Sequence, residues 1–103
     1  MKDTGLSDAE VELIRTVLRQ HAHVSRAILF GSRAKGVATP HSDIDLAVCG
    51  LDSALKTEAL ALDLEELPLP YKFDVLDFEA LKNEVLREHV ERVGIEIYKR
   101  VSV

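Results

Sequence analysis

Apolar and polar positions along the chain switch repeatedly between a helical and a strand period, and each switch marks an element. Ser7 and Glu10 have the spacing of a capping box, in which each side chain satisfies an orphan amide of a first helical turn. Val11, Ile14 and Leu18 then recur at helical spacing, with Leu13 and Val17 widening the stripe, and predict a helix over about Asp8 to Gln20. Arg26 to Phe30 (RAILF) is a short apolar run stopped by Gly31, the pattern of a buried strand. Ser32 to Ala38 reads as a short helix, and Thr39-Pro40-His41-Ser42 as a loop, since proline and small polar residues favour turns. Ile44, Leu46 and Val48 alternate with Asp43, Asp45 and Ala47, which is the period of a second strand.

Ser53 is placed to cap a third helix lasting to about Glu66, with Pro68 and Pro70 barring its continuation. Its leucines (Leu55, Leu60, Leu62, Leu64 and Leu67) spread too widely for one narrow stripe and predict a helix well buried in its own fold, with exposure of part of it to a partner as the less favoured reading. Tyr71 to Leu76 forms a third strand, and Asp77 is a plausible N-cap for a fourth helix carrying Phe78, Leu81, Val85, Leu86, Val90 and Val93. Gly94 suits the stop of that helix, and Ile95 to Lys99 alternates again as a last strand. Helices and strands in strict alternation predict an α/β (α+β) domain, a small mixed β-sheet with helices packed on it. At 103 residues the whole chain, 1–103, is expected to be a single domain.

Composition narrows the function classes. The chain is 47% hydrophobic and 30% charged, as a globular domain should be and a disordered one should not. Thirteen basic against 18 acidic residues leave a net charge of −5, a poor balance for a protein that must neutralise many phosphates, so broad nucleic-acid binding is not expected. A lone cysteine, Cys49, can form neither an internal disulfide nor a cysteine zinc site and suits a reducing compartment. The opening MKDTGLSDAE has no apolar signal core and no run approaches a membrane-spanning length, so a cytoplasmic location away from membranes is expected.

Chemistry concentrates in Phe30-Gly31-Ser32-Arg33-Ala34-Lys35-Gly36 and Ser42-Asp43-Ile44-Asp45-Leu46. Residues i and i+2 of a strand face the same way with Cα atoms about 6.6 Å apart, so Asp43 and Asp45 can converge on one hard cation. Mg²⁺ favours such sites, taking one or two carboxylates and filling its octahedron with water and substrate phosphates. Acids also decorate strands as plain solvated surface, and Asp-x-Asp alone is weak. Gly31 and Ser32 shift that balance. A glycine after a buried strand permits a tight turn and close approach of a phosphate, and Ser32 adds a hydroxyl beside the amides that open the next helix. The loop is not a Walker A motif, because Val37 and Ala38 follow Gly36, nor a dinucleotide fingerprint, because Arg33 occupies a position that needs glycine.

Gly31-Ser32, ten residues, then Asp43-x-Asp45 resembles the signature of the polymerase-β-like nucleotidyltransferases, and the length resembles their short members, the minimal nucleotidyltransferases. The resemblance covers nearly the whole chain. The family's third carboxylate lies on a following strand, where Asp74 matches, while Asp77 competes but has a capping role. The resemblance implies metal-assisted transfer of a nucleoside monophosphate, usually AMP from ATP, to a hydroxyl, with two Mg²⁺ ions held by Asp43, Asp45 and Asp74. It implies Asp74 as the ligand nearer the acceptor and its base, and Gly31 and Ser32 as holders of the β- and γ-phosphates. Arg33 and Lys35 could neutralise triphosphate charge, although exposed basic residues on a short helix are more often simply solvated.

Such minimal domains resemble the antitoxin half of a two-gene pair whose partner is an all-helical HEPN ribonuclease toxin, modified on a tyrosine by AMP. That partner, encoded by an adjacent gene, is the acceptor the resemblance implies. A non-catalytic adaptor that neutralises its partner by binding is the second reading, and adenylylation of a small molecule the third. His21, His23, His41 and His89 lack metal-ligand spacing and read as surface histidines, Cys49 as a small apolar filler, and the glutamates of the third and fourth helices as solvated faces.

Overall fold

The capping box forms as its spacing predicts. Ser7 Oγ accepts from Glu10 N at 3.1 Å and Glu10 Oε1 accepts from Ser7 N at 2.9 Å. In the computed structural model, which describes residues 4–100, the order is α1 (Asp8–Gln20), β1 (Arg26–Phe30), α2 (Gly31–Lys35), β2 (Ile44–Cys49), α3 (Ala54–Glu65), β3 (Phe73–Asp77), α4 (Glu84–Val93) and β4 (Ile95–Lys99). The strands form one sheet in the order β3-β2-β1-β4. β1 runs antiparallel to β2 and β4, whereas β2 and β3 are parallel, so the sheet is mixed. A parallel pair needs a crossover, and α3 supplies it.

Helices cover both faces of the sheet, which is why its two central strands read as nearly continuous apolar runs. On one face Ala27, Leu29, Ile44, Leu46 and Val48 pack against Ile14, Val17 and Leu18 of α1 and Leu60 and Leu64 of α3. On the other, Ile28, Phe30, Ala47 and Cys49 pack with Phe78 and with Val90 of α4. Among the described residues no helix is long and apolar enough to cross a membrane.

Several local expectations are corrected. α2 ends at Lys35 rather than Ala38, because Gly36 adopts a left-handed φ of 77° and closes it. α4 begins at Glu84, capped by Asn83, whose Oδ1 accepts from Val85 N and Leu86 N at 3.1 Å each. Asp77 instead ends β3 and caps only a turn, accepting from Ala80 N at 3.3 Å. Phe78 decides this. Its backbone N donates to Val48 O at 2.9 Å and its ring is buried in the second core, so the chain must stay with the sheet before turning into α4. Gly94 follows α4 as expected but with φ −67°, not a left-handed cap. A Cβ there would lie 2.3 Å from Val90 O and 2.4 Å from Ile28 Cγ2, so the glycine permits close approach of the helix end to β1. α3 is buried only through Leu60 and Leu64, leaving Leu55 and Leu62 exposed, against the expectation of a well-buried helix.

Candidate active site

The parallel pairing of β2 and β3 sets Asp74 directly opposite Asp45, and the antiparallel pairing of β1 and β2 sets Phe30 opposite Asp45 on the other side. Directly opposed residues of neighbouring strands project from the same face. Asp45 and Asp74 therefore share the face of Phe30 and Ala47, away from α1 and α3. Asp43 stands two residues before Asp45, just ahead of β2 rather than within it. Ile44 N already donates to Lys72 O at 2.8 Å, so strand-like spacing carries Asp43 toward the same side. Asp43 and Asp74 are exposed and Asp45 is half-buried.

Gly31 fits tightly against this row. Its φ is +74°, a conformation costly to any residue with a Cβ, and a Cβ built on it would lie 2.2 Å from Asp45 Oδ2. The glycine is thus required twice, by its backbone and by the carboxylate beside it. Ser32 follows, half-buried in the first turn of α2. Burial pushes the Asp45 carboxyl above the ordinary aspartate range, and the negative charges of Asp74 and Asp43 push it further, while Arg33 pulls it back. The three acids consequently form one electrostatic unit.

Arg33 is not the surface cation that its place on a short helix suggested. It is 1% exposed. Its Nε and Nη2 donate to Ser42 O at 3.2 and 2.8 Å, Nη1 donates to Thr4 O at 2.9 Å, and the guanidinium lies 4.6 Å from the Tyr71 ring centroid. Tyr71 OH in turn donates to Glu10 Oε2 at 3.0 Å. Arg33 therefore clamps the residue just before Asp43 and the approach to β3, and a guanidinium with its donors so engaged is poorly placed to meet a triphosphate. Sequence reading missed this role because burial of an arginine has no periodic signature. Lys35 is exposed, as is His41 in the loop before Ser42.

Chemically, an Asp45 carboxyl raised by burial and by the charges of Asp74 and Asp43 suits a divalent cation, whose charge would relieve the repulsion. Among the described residues no three His, Cys, Asp or Glu side chains are drawn together into a ready-made cage. Mg²⁺ needs only one or two carboxylates, with substrate phosphates and water completing its shell. Asp43, Asp45 and Asp74 are the residues that would hold it. Of the histidines, His41 is two residues before Asp43, and His21 and His23 follow α1. His21 has the acidic partner that its sequence spacing hid, Nε2 lying 2.7 Å from Asp63 Oδ2, and His23 Nε2 is buried without a hydrogen-bond partner. Cys49 is buried, which pushes its thiol pKa up and leaves it an apolar filler.

Residues 12–102 match the family described as Polymerase beta, Nucleotidyltransferase. The chain belongs to the polymerase β nucleotidyltransferase family. Within it, the chain is 31% identical over 97 residues to the probable protein adenylyltransferase MntA of Haemophilus influenzae, covering 92% of this chain and 84% of that protein. A solved minimal nucleotidyltransferase superposes with a TM-score of 0.70 at 33% identity, over 90% of this chain and 94% of the other. A toxin–antitoxin structure with AMP-PNP gives a TM-score of 0.74 at 27% identity, over 87% and 73% of the two chains. The tri-AMPylated Shewanella oneidensis HEPN toxin in complex with its MNT antitoxin gives 0.67 at 25% identity, over 87% and 70%. The four-stranded mixed sheet with its helices is accordingly a nucleotidyltransferase fold, and the chain is a nucleotidyltransferase.

Proposed function

We propose that this nucleotidyltransferase moves AMP from ATP to a tyrosine hydroxyl of a helical HEPN ribonuclease toxin encoded beside it, and so serves as the antitoxin. The observation that carries the reading is the register that sets Asp74 opposite Asp45, on the face where Gly31 meets the Asp45 carboxylate. The toxin–antitoxin and adenylyltransferase names of its relatives support the acceptor and the nucleotide.

In this scheme Asp43, Asp45 and Asp74 would hold Mg²⁺, and Asp74, the most outlying of the three in the sheet order, stands nearest the acceptor and takes its proton. When bound, the metal would neutralise charge on the attacking and leaving oxygens of an in-line displacement at the α-phosphate, in which the tyrosine oxygen bonds to that phosphorus and pyrophosphate leaves. The Gly31 backbone and the Ser32 hydroxyl receive the β- and γ-phosphates, with Lys35 rather than Arg33 as the side chain free to add positive charge. The test incubates the chain with α-labelled ATP, Mg²⁺ and the product of the adjacent gene. Label is expected on a tyrosine of that product, and should vanish when Asp43 and Asp45 are both replaced by Asn. No label with the wild-type chain overturns the reading. Persistent neutralisation of the toxin by the double variant would favour the non-catalytic adaptor instead.

A further inference from the structure

The helix that the sequence predicted to be buried presents an apolar stripe to solvent. Leu55 is 81% exposed and Leu62 59%, and with exposed Ala59 between them they occupy positions i, i+4 and i+7, one face of α3. Beside the stripe, α3 and α1 enclose a groove of about 320 Å³ whose apolar lining is Leu13, Val17 and Leu67. Leu13 itself is 37% exposed on the α1 side of the groove, across Asp63 and Glu66 from the stripe. The margins of the groove are acidic. Glu66 and Asp63, the latter meeting His21 Nε2, line the groove and Glu58 is exposed on the same helix, whereas Lys56, near Asp52, is the one basic residue of α3.

We propose that this face docks an amphipathic helix of the partner protein whose apolar stripe is flanked by lysine and arginine. Charge selects that occupant over a second copy of the chain. Self-association about a two-fold axis would bring Glu58 and Glu66 against the same acids, in a chain of net charge −5. A basic-flanked helix meets the same margin with opposite sign, and its apolar side chains find the helix-in-groove geometry they require. The face also lies across the sheet from Asp45 and Asp74, because α1 and α3 pack on Leu46 and Val48 while the carboxylates share the side of Ala47. Docking there leaves the carboxylate face open to nucleotide, and a partner that reaches past the edge strand β3 brings its acceptor to Asp74. The partner tested is that of the functional reading above, on which this inference rests.

The experiment co-purifies the full chain with the adjacent-gene product and measures their affinity at low and high salt. Leu55→Glu with Leu62→Glu should weaken the complex about a hundredfold or more, from the loss of two buried leucines. Glu58→Lys with Glu66→Lys, which disturbs no core residue, should weaken it about tenfold and flatten its salt dependence. Circular dichroism and melting of both variants alone should match wild type, as surface positions allow. Affinities within twofold of wild type for both variants overturn the proposal, as does a wild-type chain that forms no complex. So does a homodimer of the chain that the leucine variant dissolves, since a second copy would then be the occupant. An intact complex without AMP transfer overturns the functional reading alone.

Discussion

Replacing Gly31 by Ala tests whether the bend and the central carboxylate are mutually dependent. Two costs are separable. The residue sits at φ +74°, where a Cβ crowds the backbone by roughly 1–2 kcal/mol. The added methyl would also stand 2.2 Å from Asp45 Oδ2 and 3.2 Å from its Cγ, so the carboxylate must move by about 1 Å to reach ordinary van der Waals separation. Turning the side chain off its rotamer costs about 0.5–1.5 kcal/mol more. Gly36→Ala supplies the control, since Gly36 has a similar φ of 77° and is exposed at the end of α2. It should lose only the backbone part, a fall in melting temperature of about 4–8 °C per kcal/mol for a domain this size.

Gly31→Ala should therefore lose about 1.5–3.5 kcal/mol in urea titration against about 1–2 for Gly36→Ala. More telling is the transfer rate. A displacement of about 1 Å in a reacting constellation is worth roughly a hundredfold, so Gly31→Ala should be slowed on that scale while Gly36→Ala stays near wild type. If the two variants lose equal stability and equal activity, the contact between Gly31 and Asp45 has no mechanical consequence, and Asp45 is not held where the register implies.

Three other expectations follow from the same geometry. Arg33→Met removes donors to Ser42 O and Thr4 O and should cost about 3 kcal/mol or more in urea titration, while raising hydrogen exchange in the loop before Asp43. Unchanged exchange there would refute the clamp; Arg33→Lys should rescue only part of it, since an ammonium cannot grip one carbonyl with two donors while reaching Thr4. Asp45→Asn should slow transfer by a hundredfold or more, on the order of several kcal/mol of lost charge stabilisation. Its effect on stability runs the other way. Because burial and two neighbouring acids raise the Asp45 pKa in the folded state, the stability tied to this group is present below the unfolded carboxylate pKa and is lost as pH rises through the folded value. Asp45→Asn should thus melt above wild type near pH 7, an advantage that shrinks toward about pH 4; a constant offset across that range in a melting series would contradict the assignment.

What the sequence disclosed and what it hid divide along a physical line. Periodicity and caps are local, and α1 with its Ser7–Glu10 box, β1, and β4 at Ile95–Lys99 emerge at the predicted residues. The nucleotidyltransferase signature is nearly as local, because a Gly-Ser bend and an Asp-x-Asp strand are each a few residues long. Asp74 was reachable only through family resemblance, since nothing within Phe73-Asp74-Val75-Leu76 reveals that its strand pairs in parallel beside β2 and faces Asp45. Failures occur where a distant partner outweighs the local pattern. Phe78 looks helical until the Val48 carbonyl captures its amide, and that bond moves the N-cap from Asp77 to Asn83. Arg33 looks solvated until Thr4, Ser42 and Tyr71, remote in sequence, converge on its guanidinium. Leu55 and Leu62 fail in the opposite sense: their hydrophobicity predicts burial, but α3 has only one face to give the sheet, already filled by Leu60 and Leu64. A leucine left over once the core is complete is information about a surface, and on a chain this acidic it points to a partner of opposite charge.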